Sequence, residues 1–585
     1  MAPTVHRVRR PPAWPAAVLA LALLATGAYL LYETRGLTFY FDDWSFVTER
    51  QGHSLDVFLD PHLEHLSLLP VILYKGLFET VGLAHYGPFR VMIVALHLAC
   101  AALLYLVARR RIGDVLALVP AVVLLSLGPA WQDILWPFQI GFLIPLACLL
   151  GMLLALDRGD RAGDLVAGGL LVVALASSSL GVPVAVAAAV EVLLGPDRWR
   201  RLLRVIAVPA VLYGAWSLAY GEADFDSGNL SATPEYIVDA AGASVGAATS
   251  LGVTAGKLLA AALAIGVAVR LARGGPERVR LLALLAGALS FWALLGVFRP
   301  DEIPPPSRQL YPGVVFVLLI AVELARGVRP RRPVLAVAAV AAGLIVAGNV
   351  GDLHRGADRL RNFTDFVAAE LGALELARAG VPAEFRPDPV LAPWVSAATY
   401  FPAVDAWGSP ADTPAGILDR PEPARRAADI ALAAALGVHL APGTLPAQPG
   451  PAPAVTRGSA RHAGGCLQLG AGGPVELRLP PGGLALRAGD RGALTVRLRR
   501  FGAGYGRADR APGEGIFIVS IPPGNGIDEF KFVASFGAQL AKPAVLTLPT
   551  GDSAALRIPP DAARRPWHAA ITAAAPSRVC GLPAG

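Results

Sequence analysis

The sequence predicts an α-helical polytopic membrane protein of about 11 transmembrane helices, with an extracytoplasmic C-terminal region ending in a β-sandwich. Three observations carry this expectation. With 585 residues, mean hydropathy +0.53 and 16% charged residues, the chain is too apolar for an ordinary soluble protein and too long for one core. Its apolar residues gather in blocks of about 17–22, the length that crosses a hydrocarbon core at helical rise. Those blocks stop near Val350, beyond which charges, Pro and Gly recur throughout.

The expected spans begin near Trp14, Phe89, Ile112, Phe138, Asp164, Val182, Leu203, Leu251, Leu281, Leu310 and Val334. The first has the basic lead of a signal peptide, but LATGAYLLYETRG stays apolar past any small-residue cleavage site, so it reads as an uncleaved anchor. Arginines set the expected orientation. They crowd HRVRR, RRR (109–111), DRGDR, DRWRRLLR, RLARGGPERVR and RGVRPRR, whereas the opposite loops hold only Arg35, Arg50, Lys75, Arg90, Arg299 and Arg308. The positive-inside rule then places the N-terminus in the cytoplasm and, after an odd number of spans, the C-terminal region outside. His65 to Leu83 is apolar enough to be counted as a further span, but that would invert every later loop. Lys75 and Glu79 lie four residues apart in it and make a polar stripe, so it reads as an amphipathic helix on the outer surface.

With this topology, polar residues gather at the outer face. The first outer loop, 33–88, opens with FYFDDWSF and carries Asp42, Asp43, Trp44, His53, Asp60, His62, Glu64 and His65. The second, WQDILWPFQIGF, brings Trp131, Asp133, Trp136 and Gln139; the fourth, GEADFDSGNLSATPEY, is acidic. The fifth, FRPDEIPPPSRQLYPG, delivers Arg299, Asp301, Glu302, Arg308 and Tyr311. Acids, imidazoles, an amide, aromatic rings and arginines at one membrane face make an inventory for a sugar and a phosphate: rings stack on Trp and Arg pairs with phosphate oxygens. The net charge of +7 does not point to nucleic acid, because the arginines lie in the inner loops. SSSLG (177–181) has the look of a nucleophile motif but reads as a helix end packed through small residues.

The chain divides into a membrane domain, 1–350, a helical segment and linker, 351–445, and a sandwich, 455–585. RGADRLRNFTDFVAAELGALELARAG and PEPARRAADIALAAALGV repeat apolar residues at helical intervals, and a Pro- and aromatic-rich stretch with Trp394, Tyr400 and Trp407 separates them. From Gly464 the pattern becomes short alternating runs: CLQLG, VELRLP, LTVRLRRF, GIFIVSI, FKFVASF, AVLTLP, AALRIP and HAAITA. Cys466 and Cys580 bracket them and suit a disulfide outside the membrane, while Cys100 and Cys148 lie in spans.

The long acidic first loop, the surface helix within it and the outer C-terminal domain resemble membrane glycosyltransferases of the GT-C fold. That group includes protein mannosyltransferases, aminoarabinose transferases and actinobacterial arabinosyltransferases. The likeness covers roughly Trp14 to Val350 and rests on the architecture with FDDW, HLEHLSLLP and SRQLYPG. It implies a polyprenyl-phosphate sugar donor in the bilayer, a cell-envelope glycan, lipid or protein as acceptor, and Asp42 or Asp43 as general base. Trp44, His62, Glu64, His65, Trp136, Gln139, Arg299, Arg308 and Tyr311 are then the expected substrate-binding residues. Some relatives hold a divalent metal and others do not; here Asp42, Asp43, His62 and His65 are its candidate ligands. By the same analogy the sandwich is expected to hold a growing glycan or the acceptor near the site. Two other classes compete: a transporter or flippase of lipid-linked sugars, and a non-catalytic scaffold displaying a carbohydrate-binding sandwich.

Overall fold

The computed structural model describes residues 14–221, 227–275, 278–302, 305–328, 331–503, 544–563 and 565–583. The protein is mostly helical and ends in antiparallel sheets. Among the described residues, eight helices are long and apolar enough to cross a bilayer, or nine if one bent pair is a single span. They are Trp14–Glu33, Gly87–Ile112, Pro137–Leu156, Arg198–Tyr220, Gly252–Arg273, Arg278–Phe298, Ser307–Leu324 and Arg332–Leu376. This architecture fits a polytopic membrane protein. Of the other expected spans, the one near Ile112 is the bent pair, and those near Asp164 and Val182 are the helices Arg161–Leu175 and Gly181–Leu194. At 15 and 14 residues, both are shorter than the usual spanning length.

The bent pair, Leu118–Leu125 and Gly128–Leu135, turns by 46°. Pro129 supplies no amide hydrogen and disfavours helical backbone at the residue before it. Gly128 also lies against the Asn349 carbonyl, where a Cβ would come within 2.0 Å of the oxygen. Past the bend, the short Trp131–Leu135 helix packs on Ser307–Leu324 and Arg332–Leu376. A helix not expected from the sequence, Thr233–Thr249, packs on Gly252–Arg273. Backbones meet there: a Cβ on Gly256 would reach the Gly242 carbonyl at 2.1 Å, and one on Gly246 the Gly252 carbonyl at 2.4 Å.

The expected domain boundary at Val350 falls inside one continuous helix, Arg332–Leu376. At 1.5 Å per residue it is roughly 68 Å long, twice a bilayer core. Its first half exposes Val334, Val337, Val340 and Leu344, while its second half buries Leu353, Ala357, Leu360 and Phe366, the helix packing on Gly128–Leu135 and on Glu422–Ala435. The surface helix of the first loop is Leu68–Val81. Its polar stripe is split: Lys75 is buried and its Nζ donates to the Arg50 and Gly52 carbonyls at 2.7 and 2.8 Å, whereas Glu79 is exposed and accepts from Trp407 Nε1 at 3.3 Å.

One sheet runs, edge to edge, Leu440–Pro442, Ser553–Leu556, Leu484–Arg487, Ser577–Gly581, Cys466–Leu469 and Arg461–Ala463. The other runs Ala454–Arg457, Val475–Arg478, His568–Ala573, Leu494–Arg499 and Val545–Leu548, so strands begin within the expected linker. Cys580 pairs with Cys466 in register and the two form a disulfide, as expected. The expected strands GIFIVSI and FKFVASF lie outside the described residues. Asp429, on the Glu422–Ala435 helix, accepts from the Phe501 and Gly502 amides at 2.8 and 2.9 Å and ties the sheets to the helical segment.

Candidate active site

The two neighbouring acids of the first loop have opposite surroundings. The chain turns at Phe41, whose φ of 51° is left-handed, and enters the short helix Asp43–Thr48. That turn sends Asp43 inward and leaves Asp42 at the surface of the cluster. Asp43 is fully buried and accepts four hydrogen bonds: Tyr74 Oη at 2.6 Å, Tyr86 Oη at 2.9 Å, Trp136 Nε1 at 3.0 Å and the Tyr40 amide at 3.2 Å. Burial pushes its carboxyl up to about 6 against the pull of these donors. It is ionised at neutral pH; Tyr86, Trp136 and the Tyr40 amide crowd Oδ2, while Oδ1 accepts from Tyr74.

Asp42 is half-buried, and one donor meets it: Trp394 Nε1 reaches Oδ1 at 3.2 Å. Among the described residues no donor is recorded at Oδ2. Burial raises its carboxyl above the ordinary range, while Trp394 and the charge of Arg308 hold it back. Trp394 is fixed in turn by its own segment. The Leu391 carbonyl accepts from the Phe41 amide at 2.7 Å, and Asp388 caps the Val390 and Leu391 amides at 2.8 Å. A residue more than three hundred positions away thus completes the first loop.

Arg308 opens the Ser307–Leu324 helix beside the second loop. Its amide donates to Gln132 Oε1 at 3.1 Å, and the Gln132 amide donates to Ser307 Oγ at 3.2 Å. This clip sets Arg308 beside Asp133, and the Arg308 charge acts on both Asp133 and Asp42. Glu302 accepts from Arg308 Nη2 at 2.8 Å and holds the guanidinium in place. Asp133 itself is fully buried, and neither carboxylate oxygen has a hydrogen-bond partner.

The histidines complete the cluster. His62 and His65 face each other across a one-residue-pair bridge, with reciprocal backbone bonds of 3.0 and 3.1 Å. Ser45 Oγ gives its proton to the Asp42 carbonyl at 2.8 Å, so the 3.2 Å contact with His62 Nδ1 is donated by the ring. Nε2 of His62 is then an acceptor, and it has no partner. Burial, His65 and Arg50 push His62 down to about 3; burial and Arg299 push His65 down to about 4. Both rings are neutral at neutral pH.

Several expected contacts are absent or differently used. Trp44 is fully buried, donates to the Phe39 carbonyl at 3.2 Å and packs on Tyr400, so its ring offers no face to a sugar. Tyr311 is buried within its helix and bonded to His97 Nδ1 at 2.9 Å, away from the loop surface. Trp136 stacks on Phe138 and spends its indole hydrogen on Asp43. Gln139 is buried, whereas Glu64 and Arg299 are half-buried. Among the described residues no group of three or more His, Cys, Asp and Glu side chains is placed to hold a metal ion, so Asp42, Asp43, His62 and His65 do not assemble one. Two residues named in the sequence were given no role in the site: Trp394, whose partner is remote, and Asp133, an acid between two Trp in an apolar run. No family model, no curated protein and no solved structure matches the chain.

Proposed function

We propose that the protein is a membrane glycosyltransferase that moves a sugar from a polyprenyl-phosphate donor to a hydroxyl of a cell-envelope acceptor, with Asp42 as general base. The observation that carries this reading is the division of labour between the two acids. Asp43 is sealed in the core and held by four donors, while Asp42 is half-buried and, among the described residues, keeps an oxygen without a donor in the field of Arg308. The acceptor hydroxyl gives its proton to Asp42 as its oxygen attacks the anomeric carbon. The bond from that carbon to the phosphate oxygen breaks, its electron pair leaves with the polyprenyl phosphate, and configuration inverts. Arg308 stabilises the charge gathering on the phosphate. A positioned base contributes roughly 10²–10⁴-fold. Asp42 suits the task better than His62, because burial raises the basicity of the carboxylate and lowers that of the ring.

The reading takes the bent pair and the two shorter helices as spans, with the arginine-rich loops in the cytoplasm and the first loop outside. It takes the two sheets as layers of an extracytoplasmic sandwich that steadies the acceptor. Purified protein supplied with labelled polyprenyl-phosphate sugars and envelope acceptors tests it. Product formation that falls in Asp42→Asn supports the proposal; undiminished turnover in that variant sinks the general-base role. Movement of the lipid-linked sugar across vesicles without a glycosidic product would instead mark a transporter.

A further inference from the structure

The C-terminal sheets carry a groove of about 550 Å³, a size usual for a small-molecule or oligosaccharide site. Two prolyl pairs line it: Pro480–Pro481, after the strand Val475–Arg478, and Pro559–Pro560, after the strand Ser553–Leu556. Proline fixes its backbone angle and brings no amide hydrogen, so these linings are stiff and apolar. The Leu479 amide donates to the Trp567 carbonyl at 2.9 Å and ties two of the lining segments together. Arg500 and Asp561 also line the groove, but they are spent on the frame. Arg500 is buried with its guanidinium 5.2 Å from the Trp567 ring centre; it bonds Asp561 and donates to the Arg565 and Ala563 carbonyls at 2.7 and 2.9 Å. The second Asp561 oxygen accepts from the Ala563 amide at 2.7 Å. Arg478 and Arg565 are different, for both line the groove and both are exposed. Arg565 gives Nε to the Arg500 carbonyl at 2.7 Å. Among the described residues its two terminal nitrogens and the whole Arg478 guanidinium have no recorded acceptor. Two uncommitted positive charges thus share one stiff apolar groove.

We propose that this groove binds an acidic saccharide, a segment of an envelope polymer bearing carboxylate or phosphate, whose acid group pairs with Arg478 and Arg565. A guanidinium fork matches either group through two parallel hydrogen bonds. The surrounding charge agrees: residues 455–585 contain 16 Lys and Arg against eight Asp and Glu, so the positive balance of the chain is not confined to the inner loops. The other anionic partners fit less well. A lipid needs apolar surface for its chains, and among the described residues no large apolar side chain after Val350 is exposed. A peptide backbone brings amides that only donate to side chains that also only donate, whereas sugar hydroxyls accept as well. Nucleic-acid bases stack on open aromatic faces, and the aromatic residue of this lining, Trp567, is buried with Arg500 on its ring. The groove is also distant from the acid cluster. The Ala562 amide donates to the Leu376 carbonyl at 3.1 Å, at the end of the long helix, roughly 30 Å along its axis from Gly356 and the Trp131 ring. The site deepens the hold on the acceptor proposed above and rests on that reading only for the source of the saccharide.

Binding, rather than turnover, tests this. The full-length protein in detergent is titrated with oligogalacturonate, phosphorylated dextran and neutral dextran of matched length, and with oligothymidylate. Wild type is expected to bind one of the acidic saccharides at least about 10-fold more tightly than neutral dextran, the effect of a hydrogen bond to a charged group. Whichever of the two binds more tightly identifies the acid group, and the preference shrinks as salt is raised. In the double variant Arg478→Gln, Arg565→Gln the preference falls to about twofold or less, with the melting temperature held because both side chains are exposed. Arg487→Gln, an exposed arginine of the other sheet outside the groove, keeps wild-type binding. Asp42→Asn also keeps the preference, so a failure of glycosyl transfer and a failure of the groove are read separately. A wild type that binds charged and neutral saccharides alike overturns the proposal, as does a double variant that keeps the preference. Equal loss in Arg487→Gln, or oligothymidylate bound as tightly as the acidic saccharides, would mark general attraction to a basic surface and overturn it too.

Discussion

The two ends of the helical bundle bury acids in opposite ways. At the arginine-rich end, Arg111 bonds Glu323 at 2.8 Å and Asp157 at 2.6 Å, and Arg280 bonds Asp157 at 3.1 Å and Glu191 at 2.5 Å. Asp164 is met by Arg201 at 3.0 Å and by Arg204 at 3.4 Å. Each of those acids has an arginine, and the pairs tie together the ends of helices from different parts of the chain. At the first-loop end, among the described residues, Asp43 has four donors, Asp42 has one, and the oxygens of Asp133 have no hydrogen-bond partner. Paired charge fastens helices, whereas an acid buried without a partner costs stability.

That contrast can be broken in several places. The largest effect is expected at the paired end: Arg111→Met leaves buried Glu323 only Arg326 at 3.4 Å and takes one of three arginines from Asp157, and should cost about 3 kcal/mol of stability, read from thermal or denaturant unfolding. A loss below ~1 kcal/mol would show that the network is dispensable. Asp43 gives a pH effect of defined sign. Its folded carboxyl titrates at about 6, above the ordinary value of 3.8, so the folded state binds the extra proton. Stability from this group is full at low pH and falls as pH rises from about 4 to 6, by up to ~3 kcal/mol. Asp43→Asn should flatten that slope but not abolish it, since burial also pushes Asp429 up to about 6. An unchanged slope would show that Asp43 does not titrate in this window. The smallest effect is at Trp394: removing its hydrogen bond in Trp394→Phe leaves burial to act on Asp42 with less opposition. The acid limb of the pH–rate profile should move to higher pH by a fraction of a unit, and a shift to lower pH would contradict the contact.

Local patterns carried much of this structure. The long apolar helices could be read from block length, the first loop and its acid pair from FDDW, and the disulfide from two cysteines bracketing alternating runs. The Thr233–Thr249 helix escaped because its Ala, Gly and Ser residues look like loop, although the GASVG spacing (242–246) is a signal for close helix packing. The stripe of Lys75 and Glu79 was legible, but which surface it faces depends on Gly52 and Trp407, far apart in sequence. The same holds for the site. Composition points to acids and arginines at one face, but only tertiary contacts separate Asp42 from Asp43 or withdraw Trp44 and Tyr311 into the core.

The most direct test of the account sets the two ends side by side: glycosyl transfer and melting temperature measured together in Asp42→Asn and Arg111→Met. The expected result is a loss of about 10²–10⁴-fold in turnover for Asp42→Asn with its melting temperature held, against a lowered melting temperature for Arg111→Met with turnover per folded molecule retained. Full turnover in Asp42→Asn, or a melting temperature that falls as far as that of Arg111→Met, would contradict the account.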